Sequence, residues 1–137
     1  MAGLIANKTK MFYKSEGASD FAELEYLMEV PEMGGTPEKI DVTVLSDDVK
    51  KFIHGIKDMG EPAFKFLYDN TNADSNYRIL KGLDEEIVDF KIVYPDETGH
   101  KFKAIPTVKM DAGTINGVLT FTCSMTMQSD ITPVEND

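Results

Sequence analysis

The residue types that could do chemistry are sparse in this sequence and badly spaced for it. His54 and His100 stand far apart, and neither has a second His or a Cys at the short spacing of a metal site. Cys123 sits among Leu119, Phe121, Met125 and Met127 on the apolar side of an alternating run, where a thiol serves as a small buried hydrophobe. Asn70, Asn72 and Asp74 imitate the opening of a calcium loop. Its sixth position holds Ser75 where Gly is needed and its twelfth Lys81 where Glu is needed, so helix capping explains them better. Gly34-Gly35 lacks the Lys-Ser/Thr of a phosphate loop and reads as a turn. Glu23, Glu25 and Glu29 could supply paired carboxylates for glycoside chemistry, but glutamates alternating along a strand belong to a solvated face. No catalytic residue, cofactor site or metal ligand is predicted, and the expectation is a protein that is not an enzyme.

Fourteen basic against twenty-four acidic residues give a formal charge of -10, the wrong sign for tight binding to nucleic-acid phosphates. With 137 residues, 42% of them hydrophobic, the composition suits one soluble domain with a core of its own. No apolar run approaches the ~20 residues that span a bilayer, so no membrane partner is expected. Residues 1–10 show no basic segment followed by an apolar one, and a single cysteine excludes an internal disulfide. Both point to synthesis in a reducing cytoplasm.

The elements that would position any site are mostly strands. Residues 9–14 have strand composition, and residues 21–30, FAELEYLMEV, alternate over ten positions. That period places Ala22, Leu24, Tyr26, Met28 and Val30 on one face and Glu23, Glu25 and Glu29 on the other, with Phe21 and Leu27. Residues 62–69 alternate again, with Phe64, Phe66 and Tyr68 on one face and Lys65 and Leu67 on the other. NTNADSN then offers caps for a short helix from about Ser75 to Lys81, ended by Gly82. Residues 87–94 and 101–110 read as strands joined through Pro95, Asp96 and Gly99, and Pro106 marks an edge or a bulge within the second. Residues 118–128 alternate throughout, with Thr120, Thr122, Ser124, Thr126 and Gln128 opposite the apolar face. Six or seven strands, one helix and no repeat predict a mainly β fold, a β-sandwich or rolled barrel with one flanking short helix.

Between two of these strands lies a thirty-residue connection, residues 31–60, longer than hairpin geometry requires. Gly34, Gly35, Pro37, Gly55 and Gly60 punctuate it, yet Ile40, Val42, Val44, Leu45, Val49, Phe52, Ile53 and Ile56 make it too apolar for a solvated linker. Ile40 to Val44 reads as a β segment. Ser46-Asp47-Asp48 resembles a helix start, and Val49, Phe52, Ile53 and Ile56 follow at helical spacing, with Lys50, Lys51 and His54 near Gly55. A short amphipathic helix is the expectation for this stretch, so that the connection would mix β and helical segments. The apolar side chains either fold back on the domain or await a partner.

Taken in order, PEMGGTPEKIDVTVL, K-F-I-x-G-I-K-D-M-G from Lys51 to Gly60, F-x-F-x-Y-D from Phe64 to Asp69, and Tyr94-Pro95-Asp96 resemble the major tail protein, or tail tube protein, of long-tailed bacteriophages. The resemblance runs from about Lys10 to Gln128 and rests on order and spacing, each motif being weak alone. The family has a long, often irregular loop where residues 49–56 show helical periodicity.

The resemblance implies a structural virion protein of the tail, one domain over residues 1–137, stacked as hexameric rings into a hollow tube with a continuous inner β-barrel. Genome DNA would pass through without specific binding, and the partners would be further copies together with tape-measure, terminator and baseplate proteins. The long loop would reach a neighbouring subunit, with Ile40, Val42, Leu45, Phe52, Ile53 and Ile56 as its contact residues. A channel that must not hold DNA should offer carboxylates and hydroxyls. Glu23, Glu25 and Glu29 on one strand and Thr120, Thr122, Ser124 and Thr126 on another are therefore the expected lumen residues, with Lys65 beside them. Leu24, Tyr26, Met28, Phe121, Cys123 and Met125 would face the core. A related secretion-system tube component would share this architecture. A carbohydrate-binding β-sandwich would want clustered exposed aromatics, and an acidic hydrolase would want titratable groups in a cleft.

Overall fold

The computed structural model describes residues 7–135. In chain order its elements are β1 (Lys10–Lys14), β2 (Ala22–Leu24), β3 (Leu27–Glu29), β4 (Thr36–Asp41), β5 (Phe52–Asp58), β6 (Ala63–Leu67), α1 (Asn76–Gly82), β7 (Val88–Val93), β8 (Gly99–Met110), β9 (Thr120–Met127) and β10 (Thr132–Val134). Eight strands form one antiparallel sheet in the order β2-β1-β7-β8-β9-β6-β3, with β10 added beside β8. The strands β4 and β5 pair only with each other. The two ends of the large sheet, β2 and β3, are neighbours in sequence, so the sheet curls back on itself around its apolar face. This is the mainly β, rolled architecture with one short helix that the sequence predicts.

Period-two alternation builds the core. Phe64, Phe66, Phe121, Cys123 and Met125 point inward from β6 and β9, and Phe90, Ile92 and Phe102 do so from β7 and β8. Register then sets the aromatic contacts. Phe66 lies opposite Phe121 and their rings stack at 5.2 Å, while Phe90 lies opposite Phe102 at 5.7 Å. From α1, Leu80 is fully buried and Tyr77 meets the Phe121 ring edge-on at 5.4 Å. Each buried Phe contributes about 1.5–3 kcal/mol by leaving water, and together they hold the helix on the sheet.

The run 21–30 is not one continuous strand. Tyr26 adopts φ 67, a left-handed backbone that ends β2 and starts β3 on a new axis. Leu24 is buried as expected, but Tyr26 and Met28 are half exposed, and Leu27 packs on the core in their place. Alternation predicts which residues share a face only while the backbone stays extended, and the corner resets it. The corner is tied to the rest of the fold: the Leu67 N–H donates to the Tyr26 carbonyl at 2.9 Å, and Asn76 Nδ2 donates to the carbonyl oxygens of Glu25 and Leu67.

Pro106 lies in the middle of β8, opposite Met125 of β9. It fits because Met125 turns its own N–H toward the Pro62 carbonyl, on the far side from β8. At this level β8 has also passed the start of β7 at Val88, so the missing proline N–H lies where no strand partner would need it. The helix begins at Asn76, with Ser75 at the capping position. Its hydroxyl, however, accepts hydrogen bonds from the preceding loop, from the N–H groups of Thr71 and Asn72 at 3.0 Å each.

Residues 49–56 form no helix. Phe52–Asp58 is strand β5, paired in antiparallel register with β4 through Ile40 opposite Ile53 and Asp41 opposite Phe52. The Ser46-Asp47-Asp48 segment that resembles a helix start is the hairpin tip instead. There Asp47 accepts the Val44 N–H at 3.0 Å and meets Lys51 Nζ at 3.0 Å, and the Thr43 hydroxyl accepts the Lys51 N–H. A helix of two turns has too few internal hydrogen bonds to offset its nucleation, whereas the neighbouring β segment offers a ready ladder.

Candidate assembly surfaces

The β4–β5 hairpin carries its apolar residues in the open. Ile40, Val42, Val44, Phe52 and Ile53 are about half exposed, Ile56 is 87% exposed, and Leu45 at the tip is fully exposed. Ile40 and Ile53 share one face of the ribbon and Phe52 lies on the other, so neither face is a solvated back. A two-stranded ribbon without a covered face is marginal in water. The Asp47–Lys51 pair braces its tip, and Lys57 Nζ holds its root to Asp130 at 3.3 Å. Of the two options the sequence leaves for these side chains, packing against the domain core is not what the structure adopts.

The outward face of the sheet on β3, β6, β9 and the second half of β8 is polar. Register aligns Glu29, Lys65, Thr122 and Lys109 in one cross-strand row, with Ala63, Ser124 and Thr107 in the next and Thr126 opposite Ile105 beyond. Asp111 closes this face. Its two carboxylate oxygens accept hydrogen bonds from the Thr120 and Thr122 hydroxyls, both at 2.7 Å. These bonds hold the Asp111 carboxyl below its usual range, Thr120 first and Thr122 second, with the positive charges of Lys65 and Lys109 helping against slight desolvation. Glu29 and Asp111 balance Lys65 and Lys109, so the face combines hydroxyls with an even charge.

The structure places Lys65, Thr120, Thr122, Ser124 and Thr126 on one face with Glu29, but it does not keep the three glutamates together. Glu23 lies opposite Phe12 on β1, at the other end of the sheet path, in a row with Lys91 and Lys101. Lys91 stands over the Phe12 and Phe21 rings at 5.2 and 4.6 Å. Glu25 occupies the corner, where its backbone serves as acceptor for Asn76. The left-handed turn at Tyr26 separates what alternation alone would join. Sequence reasoning missed Asp111, Thr107, Lys109 and Asn76. For Asp111 a signal existed, since it continues the strand ending at Met110 and faces a threonine stripe across the hairpin. For Asn76, bonded to carbonyls 51 and 9 residues away, there was none.

Cys123 is fully buried, and desolvation pushes its thiol up to about 12. His100 lies within 3.0 Å of the Tyr94 hydroxyl through Nδ1, and His54 is exposed on β5 opposite Lys39. Among the described residues no group of three or more His, Cys, Asp or Glu is arranged to hold a metal, and no helix is long and apolar enough to cross a membrane.

Comparison with solved structures agrees with this geometry. A chain of the anti-feeding prophage baseplate, determined by cryo-EM and 6-fold symmetrised, superimposes with a TM-score of 0.77 at 13% identity, over 98% of this chain and 97% of that one. A chain of the tail of an empty gene transfer agent particle, refined with C6 symmetry, gives 0.73 at 16% identity over 97% and 100%. A chain from the virion of the native gene transfer agent particle gives 0.63 at 17% identity over 91% and 95%. At these identities the likeness is one of fold. No curated protein sequence matches the chain. The family model for the phage tail tube protein, however, matches residues 2–136, nearly the whole sequence. The chain belongs to the phage tail tube protein family, and its role is that of a structural tail tube component.

Proposed function

We propose that this chain polymerises as hexameric rings, stacked into the hollow tube through which a phage genome leaves the particle, and that residues 1–137 act in it as one domain. The observation that carries this reading is the β4–β5 hairpin: an apolar ribbon with no cover from its own core gains burial when a neighbouring subunit supplies one. In the assembled state Ile40, Val42, Leu45, Phe52, Ile53 and Ile56 would be the buried inter-subunit residues. The six-fold symmetry of the baseplate and tail structures that share the fold supports the ring size. Tape-measure, terminator and baseplate proteins would meet the tube at its core and its ends, and the tube would be a part of the virion tail made in the host cytoplasm.

The lumen wall in this reading is the outward face of β6 and β9, with Lys65, Thr120, Thr122, Ser124 and Thr126 flanked by Glu29. Glu23 and Glu25, set apart by the corner, would lie toward its margins. Hydroxyls with balanced charge give a polyanion little to condense on, so DNA slides without being held. Electron microscopy and mass measurement over a wide concentration range test the assembly. Six-membered rings or tubes are expected, and a chain that stays monomeric at every concentration, also with its tail initiator present, overturns the reading.

A further inference from the structure

The loop that joins β8 to β9 turns at Ile115 and Asn116, and residues 112–119 are exposed. Asn116 holds φ 67, a left-handed backbone that asparagine tolerates better than most side chains, and Gly117 follows it. This is the only Asn-Gly pair in the sequence; the other five asparagines precede residues that carry side chains. The fold sets Asn116 apart as well. Asn70 donates to the Tyr68 hydroxyl and accepts from Arg78 Nε at 2.9 Å, Asn72 accepts the Asp74 N–H at 2.8 Å, and Asn76 is clasped to the Glu25 and Leu67 carbonyls. Among the described residues the Asn116 carboxamide has no hydrogen-bond partner, so nothing fixes its rotamer. The Gly117 N–H donates to the Thr114 carbonyl at 3.1 Å in a turn open to water, a bond that opens at little cost. Gly117 also has no Cβ to crowd its nitrogen.

We propose that Asn116-Gly117 is a site of spontaneous covalent modification, at which the asparagine deamidates through a cyclic imide. The Gly117 nitrogen gives its proton to hydroxide and attacks Cγ of Asn116. A C–N bond forms, the bond from Cγ to the carboxamide nitrogen breaks, and that nitrogen leaves as ammonia with a proton taken from water. Water then adds to one of the two imide carbonyls. Opening at Cγ returns an aspartate on the ordinary chain, while opening at the backbone carbonyl gives isoaspartate, whose main chain runs through Cβ and Cγ. Overall a water enters, an ammonia leaves, and nothing is oxidised or reduced. Either product adds a carboxylate to a tip where Ile115 and Val118 stand in the open. Isoaspartate also lengthens the backbone by a methylene, which takes the Gly117 N–H out of register with the Thr114 carbonyl.

Ageing of the folded chain tests the proposal. Protein kept for weeks at physiological temperature and mildly alkaline pH, then digested and weighed peptide by peptide, should show conversion at Asn116 at least about tenfold faster than at Asn70, Asn72 or Asn76. An isoaspartate methyltransferase should label the product, and the rate should rise with pH as the Gly117 nitrogen loses its proton more often. Asn116→Gly accepts the left-handed turn, so it should fold as wild type and abolish the labelling. Gly117→Ala sets a Cβ against the Thr114 hydroxyl and beside the attacking nitrogen, and should slow conversion severalfold. Conversion at Asn116 that is no faster than at Asn72, or that occurs only in the unfolded chain, overturns the proposal. Labelling that persists unchanged in Asn116→Gly overturns it too.

Discussion

Asn76 Nδ2 lies 2.8 Å from the carbonyl oxygen of Glu25, fifty-one residues earlier, and 2.9 Å from that of Leu67, so one side chain of the helix clasps the corner of the sheet to β6. Asn76 is only 2% exposed, and a carbonyl left without a partner there is costly. The clasp explains how a rolled sheet whose end strands are three residues each keeps its ends in register.

Asn76→Ala should therefore destabilise the monomer by about 1–3 kcal/mol, the cost of losing two part-buried hydrogen bonds between the helix and the corner. Denaturant unfolding should show a lower midpoint with an unchanged slope. Unaltered stability would mean that water or a rearranged corner replaces the amide.

Asp111 gives the fold a pH dependence with a definite sign. Its folded carboxyl titrates below the ordinary 3.8, so its contribution is full above that value and is lost as pH falls through the lower folded value. Asp111→Asn should flatten the acid limb of the stability profile below about pH 4 and leave neutral stability lower by at most about 1 kcal/mol, since the site is largely solvated. Thermal melts between neutral pH and acid measure both effects.

Phe52→Ala should separate folding from assembly. The side chain is half exposed and outside the core, so monomer stability should stay within about 0.5 kcal/mol of wild type. Light scattering and microscopy should show polymerisation weakened or lost. A monomer that unfolds instead would make the hairpin part of the ordinary core.

The proposed channel wall can be charged deliberately. Thr122→Lys with Thr126→Lys places two cations on the outward face of β9 with no change to the inward one, so tubes should form. DNA exit from particles carrying these tubes should slow, and added salt should restore it as phosphate contacts are screened. An unchanged exit rate would place this face away from the DNA.

Cys123 should be inert in the folded chain. With its thiol pushed up to about 12 and no exposed surface, it should resist thiol reagents at neutral pH and react fully once the chain is unfolded. Rapid labelling of native protein would show that β9 opens locally.

The sequence by itself determined the strands whose faces differ. Phe64 and Phe66, Phe121, Cys123 and Met125 stand where alternation puts them, because a sheet with one wet face leaves each such residue a single choice of side. It also determined the position of α1 and the presence of a long apolar connection, while the structure decided that the core leaves it uncovered. Tertiary structure alone decided three things. The corner at Tyr26 comes from pairing β2 with β1 and β3 with β6, partners distant in sequence, and that pairing splits Glu23 from Glu29. The choice of strand over helix for Phe52–Asp58 comes from a ladder with β4, a contact that local periodicity cannot register. The Asp111 clasp on Thr120 and Thr122 needs the β8–β9 hairpin closed before its partners meet. In each case the deciding interaction joins residues that lie close only after the chain has folded, so spacing along the sequence does not decide it.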